Sequence, residues 1–129
     1  MITLDATPAA VKIARQHIDG LADRLSAAIL EDARLMVSEL VTNSLRHGAL
    51  TSGQTIELSI EMVAGILRVE VCDPGPGFTP EPRPVISPDG RGWGLVLVSR
   101  LADRWGVRQD GVTRVWFEIG NGLTAPAER

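Results

Sequence analysis

The stretch from Glu31 to Gly48, EDARLMVSELVTNSLRHG, decides the fold because it predicts one long amphipathic helix. At about 100° per residue, five of its apolar residues and one serine fall on a single broad stripe. That stripe comprises Ala33, Met36, Val37, Leu40, Val41 and Ser44. Glu31 and Asp32 come first, where the helix dipole favours anions, and Gly48 comes last, where a left-handed residue commonly ends a helix. We therefore expect this helix to pack its striped face against the core.

Three polar residues, Glu39, Asn43 and His47, are spaced four apart and lie nearly above one another on this helix. Asn43 and His47 point within about 20° of Met36, in or beside the stripe. Burying an amide or a carboxylate without partners costs roughly 1–3 kcal/mol or more, so something should meet this row. The row is either one wall of a pocket for a hydroxyl, a hard cation and phosphate oxygens, or a hydrogen-bond ladder without a ligand.

The composition is that of one globular domain spanning residues 1–129, with 44% hydrophobic and 22% charged residues. A net charge of −3 gives no basic field for nucleic acid or membrane. No window approaches about 18 apolar residues and no signal-peptide pattern is present, so we expect a cytoplasmic protein. Cys72, the sole cysteine, forms no intrachain disulfide and is predicted to be an inert core thiol. Trp105 and Trp116 are also predicted to lie in the core.

Hydrophobic periodicity predicts the element order strand, helix, helix, hairpin, loop, helix, hairpin. The predicted elements are an edge strand over Ile2–Asp5, helices from Ala9 to about Leu25, over Glu31–Gly48 and after Gly94, and strands over Thr55–Val63, Ile66–Cys72, Trp105–Gln109 and Thr113–Ile119. Residues 120–129 are predicted to form a flexible tail. This order favours an α+β fold, a two-layer α/β sandwich in which a mostly antiparallel sheet carries helices on one face.

Two glycine clusters flank a proline-rich segment. Pro74–Pro88 holds six of the eight prolines, and the segment from Gly77 to Asp89 predicts a long irregular loop of the lid type. The first cluster contains Gly75 and Gly77, and the second contains Gly90, Gly92 and Gly94. Backbone N–H groups at the start of a helix form an anion site, to which Arg91 adds a cation. The clusters therefore indicate either a phosphate site or two ordinary turns.

Familiar nucleotide and metal motifs do not occur in the sequence. A P-loop ends in a lysine, and Lys12 is the sole lysine of the chain. The dinucleotide fingerprint needs a small residue where Leu95 stands. Neither the motif set of eukaryotic protein kinases nor the HExxH zinc motif is present, and His47 has no second histidine near it. A phosphate ligand therefore requires another kind of site.

Three segments together resemble the N, G1 and G2 boxes of the GHKL (Bergerat-fold) ATPases. They are ELVTNSLRHG at residues 39–48, DPGPG at 73–77 and GRGWGL at 90–95. The segments ADRWG at 102–106 and VWFE at 115–118 further resemble the small anti-sigma-factor serine kinases. The resemblance extends from about Asp5 to Ile119. It implies the Bergerat ATP-binding fold, with ATP and Mg²⁺ as cofactors.

The resemblance also implies a role for each box residue. Glu39 would be the general base that polarises the attacking hydroxyl, Asn43 would hold Mg²⁺, and Asp73 would accept a hydrogen bond from the adenine amino group. The remaining nucleotide-binding residues that it implies are His47, Gly75, Gly77, Arg91, Gly92, Gly94 and Leu95. Arg114 occupies the place where a threonine near the adenine is common, so the sequence leaves that contact unassigned.

The activity that the resemblance implies is an ATP-dependent serine kinase that phosphorylates a small anti-anti-sigma-like protein and binds a sigma factor. Two alternatives remain at this stage: a nucleotide-binding regulatory module with little or no transfer, and a fold retained without a ligand. We expect neither the histidine-bearing helical hairpin of a histidine kinase nor a transducer domain, because 129 residues leave no room for either. The resemblance also implies a homodimer, for which Ile2–Asp5 or the first helix would supply the interface.

Overall fold

The computed structural model describes residues 1–47, 53–75 and 93–120, apart from the side chains of His47 and Trp93. Its elements are β1 (Ile2–Asp5), α1 (Ala9–Asp19), α2 (Ala27–His47), β2 (Thr55–Val63), β3 (Ile66–Asp73), α3 (Trp93–Leu101), β4 (Arg104–Gln109) and β5 (Thr113–Gly120). All five strands form one antiparallel sheet in the order β1-β2-β3-β5-β4. The predicted α+β architecture is therefore confirmed. None of the helices in these ranges is both long and apolar enough to cross a membrane.

The central helix, α2, begins at Ala27, four residues earlier than predicted. Ser26 caps it, since the Ser26 hydroxyl oxygen accepts a hydrogen bond from the Ile29 amide at 3.2 Å. The prediction that acidic residues occupy the first turn is therefore wrong, because that turn contains none. The predicted stripe is confirmed, because each of its six residues is at most 3% exposed. α2 thus buries this face in the core.

The first helix is shorter than predicted, because α1 ends at Asp19 instead of near Leu25. Gly20 follows it and donates its amide to the Gln16 carbonyl at 3.2 Å, which closes the last turn. Glycine is a poor helix former, so the chain leaves the helix here and continues in turns. The ion pair between Arg34 and Asp19, at 3.0 Å, joins the end of α1 to α2.

The strand pattern confirms the two predicted hairpins. At the turn between β2 and β3, Ala64 has φ 52° and Gly65 has φ 79°, the pair of positive values that a two-residue type I′ turn requires. Alternate residues of β3 and β5 are buried, and α2 packs against both strands on that inner face. Among the described residues, Phe117 is the largest fully buried side chain of the core.

The opposite face of the sheet is not covered by any described element, and two sequence predictions fail there. Trp116 and Cys72 are predicted to lie in the core, but both point away from it. Successive side chains of a strand point to opposite faces, and the neighbours of both residues point inward. The Trp116 ring lies 4.4 Å from the guanidinium carbon of Arg68. Burial raises the pKa of the Cys72 thiol, and the positive charge of Arg114 opposes that shift. Trp105 is half-buried against the core.

Candidate functional site

Asp73 lies at the end of β3 on the inner face of the sheet and is only 3% exposed. Its Oδ1 atom accepts a hydrogen bond from the Gly75 amide at 2.8 Å, which fixes the carboxylate as the chain leaves the strand. A carboxylate held in this way accepts hydrogen bonds and donates none when ionised. Asp73 is therefore suited to accept a hydrogen bond from an amino group of a ligand at this end of β3.

Thr113 faces Asp73 across the β3–β5 ladder and is a residue that the sequence analysis missed. It is 2% exposed, and its hydroxyl donates a hydrogen bond to the Gly75 carbonyl at 3.3 Å. Arg114 points to the other face, where its Nη1 atom lies 3.5 Å from a Glu70 oxygen. Thr113, one residue before Arg114, is therefore the threonine that lies on the inner face opposite Asp73. The period-two alternation of β5, in which Thr113 and Phe117 share a face, was the available signal.

Asn43 and Ser44 present two neighbouring polar atoms on α2, Asn43 Nδ2 and Ser44 Oγ, that are buried and have no hydrogen-bond partner. Ser38, on the same helix, satisfies its hydroxyl by donating to the Arg34 carbonyl at 2.7 Å. An unsatisfied buried polar group costs about 1–3 kcal/mol. The Asn43 amide nitrogen does not donate a hydrogen bond to Glu39, so the predicted ladder between these side chains is not formed. This observation favours the interpretation that the row forms one wall of a ligand pocket.

The remaining site residues predicted from sequence lie partly within the described chain. α2 packs against α3, β3 and β5, so the elements that carry Glu39, Asn43 and Asp73 share the inner side of the sheet. Gly94 and Leu95 lie in the first turn of α3, and Leu95 packs against the core. Gly77, Arg91, Gly92 and the side chain of His47 lie outside the described residues.

Comparison with known proteins identifies this arrangement. The histidine kinase-like ATPase domain family matches residues 4–119. The chain belongs to this family. Its ATPase domain is 34% identical over 86 residues to the serine-protein kinase RsbW of Listeria monocytogenes, a match that covers 64% of this chain and 54% of RsbW. It is 35% identical over 79 residues to the uncharacterized protein SCO4941 of Streptomyces coelicolor, covering 60% of this chain and 74% of that protein.

Solved structures agree on the fold of this ATPase domain. The RsbU and RsbW domains of Rv1364c from Mycobacterium tuberculosis superpose with a TM-score of 0.67 at 24% identity, covering 92% of this chain and 31% of that chain. The histidine kinase AdeS of Acinetobacter baumannii gives a TM-score of 0.56 at 17% identity, covering 94% of this chain and 67% of that chain. The predicted resemblance to the GHKL ATPases and anti-sigma-factor kinases is confirmed, although the chain spans only about half the length of RsbW.

Magnesium fits the donor atoms that this ATPase domain offers on α2. Asn43 supplies a hard amide oxygen, the ligand type that Mg²⁺ prefers. The Asn43 amide nitrogen is unpartnered, so no hydrogen bond from it holds the side chain in another role. Within the described ranges, no group of three or more histidine, cysteine, aspartate or glutamate residues could hold a metal ion. An amide oxygen together with phosphate oxygens and water is a donor set that suits Mg²⁺.

A cavity of about 300 Å³ opens beside the same strand end but on the uncovered face of the sheet. It is lined by Gly53, Gln54, Thr55, Glu57, Cys72, Asp73, Pro74 and Val112. Glu57 and Cys72 face each other in the register and point away from the helices. Because α2 contributes nothing to its lining, this cavity is distinct from the site that contains Glu39 and Asn43.

Removing the Ser44 hydroxyl should stabilise the ligand-free ATPase domain. In Ser44→Ala we expect the free energy of unfolding to rise by about 0.5–1 kcal/mol, because an unsatisfied buried hydroxyl is lost and alanine is the better helix former. Urea unfolding followed by circular dichroism measures the change. Ser38→Ala is the matched control, since it removes a hydroxyl that is hydrogen-bonded. A Ser44→Ala variant that is less stable than wild type would contradict an unsatisfied hydroxyl.

Proposed function

We propose that this domain binds ATP with magnesium and transfers the γ-phosphoryl group to a serine or threonine hydroxyl of an anti-anti-sigma-like protein. The observation that carries the proposal is the buried, unpartnered amide of Asn43 on the helix that packs against the strands ending at Asp73 and beginning at Thr113. The identity to RsbW, a serine-protein kinase, supports the choice of acceptor. A sigma factor is the second protein partner that we propose.

The adenine end of the site is formed by Asp73 and Thr113. The Asp73 carboxylate, already oriented by the Gly75 amide, accepts a hydrogen bond from the adenine amino group. Thr113 holds the Gly75 carbonyl and thereby keeps the chain after β3 in position beside the base. This pairing discriminates adenine from guanine, because guanine presents a carbonyl oxygen where adenine presents an amino group. The Asp73 carboxylate and the guanine carbonyl oxygen both accept hydrogen bonds and would repel each other.

The phosphate end of the site is formed by Asn43 together with the segment that leads into α3. Asn43 would contribute its amide oxygen to Mg²⁺, which when bound neutralises charge on the phosphates. The start of α3 presents backbone N–H groups that favour anions. The further phosphate and nucleotide contacts that we propose come from His47, Gly75, Gly77, Arg91, Gly92, Gly94 and Leu95.

Glu39 is the residue that we propose to act on the acceptor. Its carboxylate takes the proton of the attacking hydroxyl, whose oxygen forms a bond to the γ-phosphorus as the bond to the β,γ-bridging oxygen breaks. The products are ADP, the phosphorylated acceptor and a proton held by Glu39. The position of Glu39 one turn before Asn43 on the half-buried side of α2 supports this role.

A nucleotide titration with and without magnesium tests the binding part of the proposal. For wild type we expect Mg²⁺ to strengthen ATP binding by about tenfold or more, since Asn43 would hold the metal and the metal's charge would offset that of the phosphates. Asn43→Ala should lose this increment while keeping its magnesium-free affinity within about threefold. Isothermal titration calorimetry gives both numbers. Ser38→Ala is the control on the same helix.

The outcomes separate the proposed function from its alternatives. Wild type that binds neither ATP nor ADP would indicate a fold retained without a ligand. Magnesium-dependent binding without phosphate transfer from radiolabelled ATP to any anti-anti-sigma-like protein would instead favour a nucleotide-binding regulatory module. Retention of the magnesium effect in Asn43→Ala would assign the metal to other residues.

A further inference from the structure

The solvent-facing side of α2 carries a short row of residues, Leu35, Thr42 and Arg46, which is here called the α2 ridge. At about 100° per residue, these three side chains point within about 40° of one another along the helix. Ser44, at the end of the inner stripe, points to the opposite side and is buried. Leu35 and Arg46 are exposed and Thr42 is half-buried. The ridge is therefore the part of α2 that the described elements leave uncovered.

The ion pair between Arg34 and Asp19 identifies the flank of α2 that faces α1. Arg34 points about 100° to one side of Leu35, and Asn43 points about 80° to the other side. Glu39 points about 40° from Leu35 on the same side as Asn43. Glu39 is thus turned away from α1 and lies at the border between the α2 ridge and the flank that carries the unpartnered Asn43 amide nitrogen.

Leu35 is the apolar end of the α2 ridge, and its side chain is 45% exposed. Single exposed apolar residues are ordinary on protein surfaces, so the position of Leu35 matters more than its exposure. It lies one helical turn before Glu39, about 6 Å along the helix axis. A protein that presents a hydroxyl to Glu39 would therefore cover Leu35 as well, and removing this apolar surface from water would favour binding.

Arg46 is the basic end of the α2 ridge and lies about 10 Å beyond Glu39 along the helix axis. Its side chain is exposed and forms no ion pair with any residue that the structure describes. Arg34, on the same helix, is by contrast held by Asp19 at 3.0 Å. The Arg46 guanidinium is therefore available to a carboxylate of another protein, to which it can donate two parallel hydrogen bonds.

We propose that the α2 ridge is the docking surface for the phosphate acceptor, an inference that rests on the proposed kinase function. The acceptor segment lies along α2 with its hydroxyl at Glu39, an apolar side chain on Leu35 and a carboxylate at Arg46. An extended segment advances about 3.3 Å per residue, so the apolar residue lies about two positions from the hydroxyl on one side. The carboxylate lies within about four positions on the other side. The ridge thereby selects among hydroxyl-bearing segments by their neighbouring residues.

Substitution of the two ends of the α2 ridge tests whether it binds the acceptor. The probe is the anti-anti-sigma-like protein that accepts phosphate from the wild-type chain. Leu35→Gln and Arg46→Gln should each raise the KM for this protein by about five- to tenfold, because each removes one docking contact. The kcat and the ATP affinity should stay within about twofold, because neither side chain acts on the reacting atoms. Steady-state transfer at saturating ATP measures KM and kcat, and calorimetry measures the ATP affinity.

Salt dependence and substitutions in the acceptor identify the carboxylate that meets Arg46. The wild-type KM should rise between about 50 and 300 mM salt, because salt screens an exposed ion pair, and Arg46→Gln should lose most of this dependence. Each acidic residue within about four positions of the phosphorylated residue is then neutralised in turn. One of these changes should raise the KM of the wild-type chain and leave that of Arg46→Gln unchanged, the non-additivity expected of two residues in contact.

Val63→Gln and Arg104→Gln are the matched controls, since they change one exposed apolar and one exposed basic residue away from α2. Both should transfer phosphate with the wild-type KM and kcat. An unchanged KM in Leu35→Gln or in Arg46→Gln would overturn the inference and leave the kinase function standing. A loss of ATP affinity in Arg46→Gln would also overturn it, because Arg46 would then contact the nucleotide. Absence of transfer from the wild-type chain to any such protein would overturn the kinase function and this inference together.

Discussion

Glu39→Gln should lower the rate of phosphate transfer by about 10²–10⁴-fold while leaving ATP affinity within about twofold of wild type. The substitution keeps the size and helix propensity of the side chain but removes the carboxylate that takes the hydroxyl proton. Because general-base catalysis acts in the transition state, its loss lowers the rate constant and not the binding of the nucleotide. Single-turnover transfer from radiolabelled ATP to an anti-anti-sigma-like protein measures the rate, and calorimetry measures the affinity.

Glu31→Gln provides the matched control for this experiment, since Glu31 is exposed on the same helix. It should transfer phosphate at the wild-type rate. If Glu39→Gln retained more than about a tenth of the wild-type rate, Glu39 would not be the base. If the variant lost rate and affinity together, Glu39 would instead contribute to holding the nucleotide or its metal.

Asp73→Asn should weaken ATP binding by about 30- to 150-fold, equivalent to about 2–3 kcal/mol. The asparagine oxygen can still accept the Gly75 amide hydrogen bond, which is 2.8 Å long in the native chain, so the local turn should persist. Its amide nitrogen, however, would direct a donor at the adenine amino group, which is also a donor. The loss therefore reports base recognition specifically, and calorimetric titration with ATP measures it.

Glu70→Gln is the corresponding control, because Glu70 lies on the same strand but points to the face of the sheet that no described helix covers. It should bind ATP as wild type does. A titration with GTP extends the test, since guanine presents an acceptor at this position and should bind Asp73→Asn at least as well as it binds wild type. Unchanged ATP affinity in Asp73→Asn would place the base elsewhere and remove the adenine contact from the proposed site.

Local sequence periodicity predicted much of the fold. The stripe on α2 is buried as predicted, and β1 and β2 have the predicted bounds, because alternation at period 3.6 or 2 follows directly from which side of an element meets the core. Errors at helix ends came from single hydrogen bonds, such as the cap by Ser26. A cap of this kind depends on the geometry of the preceding turn, which the spacing of apolar residues does not indicate.

Side-chain direction was predicted less well where hydrophobic character and strand alternation disagreed. Trp116 and Cys72 are apolar enough to suggest the core, yet the strand period directs both to the uncovered face of the sheet. The same period directs Thr113 inward and Arg114 outward, which the resemblance of the last hairpin to the family did not indicate. At each of these positions the alternation of the strand was the better guide, because successive side chains point to opposite faces and only a shift of the whole strand can exchange them.

The sequence by itself determined the elements, the buried face of α2 and the family boxes, because these depend on residues close together in the chain. The tertiary structure alone decided that Asp73 lies opposite Thr113, forty residues later, and that α2, which carries the unpartnered amide nitrogen of Asn43, packs against the strands that carry them. It also decided which side chains lie side by side on the uncovered face of the sheet. Strand register and helix packing set these juxtapositions, and both are settled by the fit of the whole core and not by any local pattern.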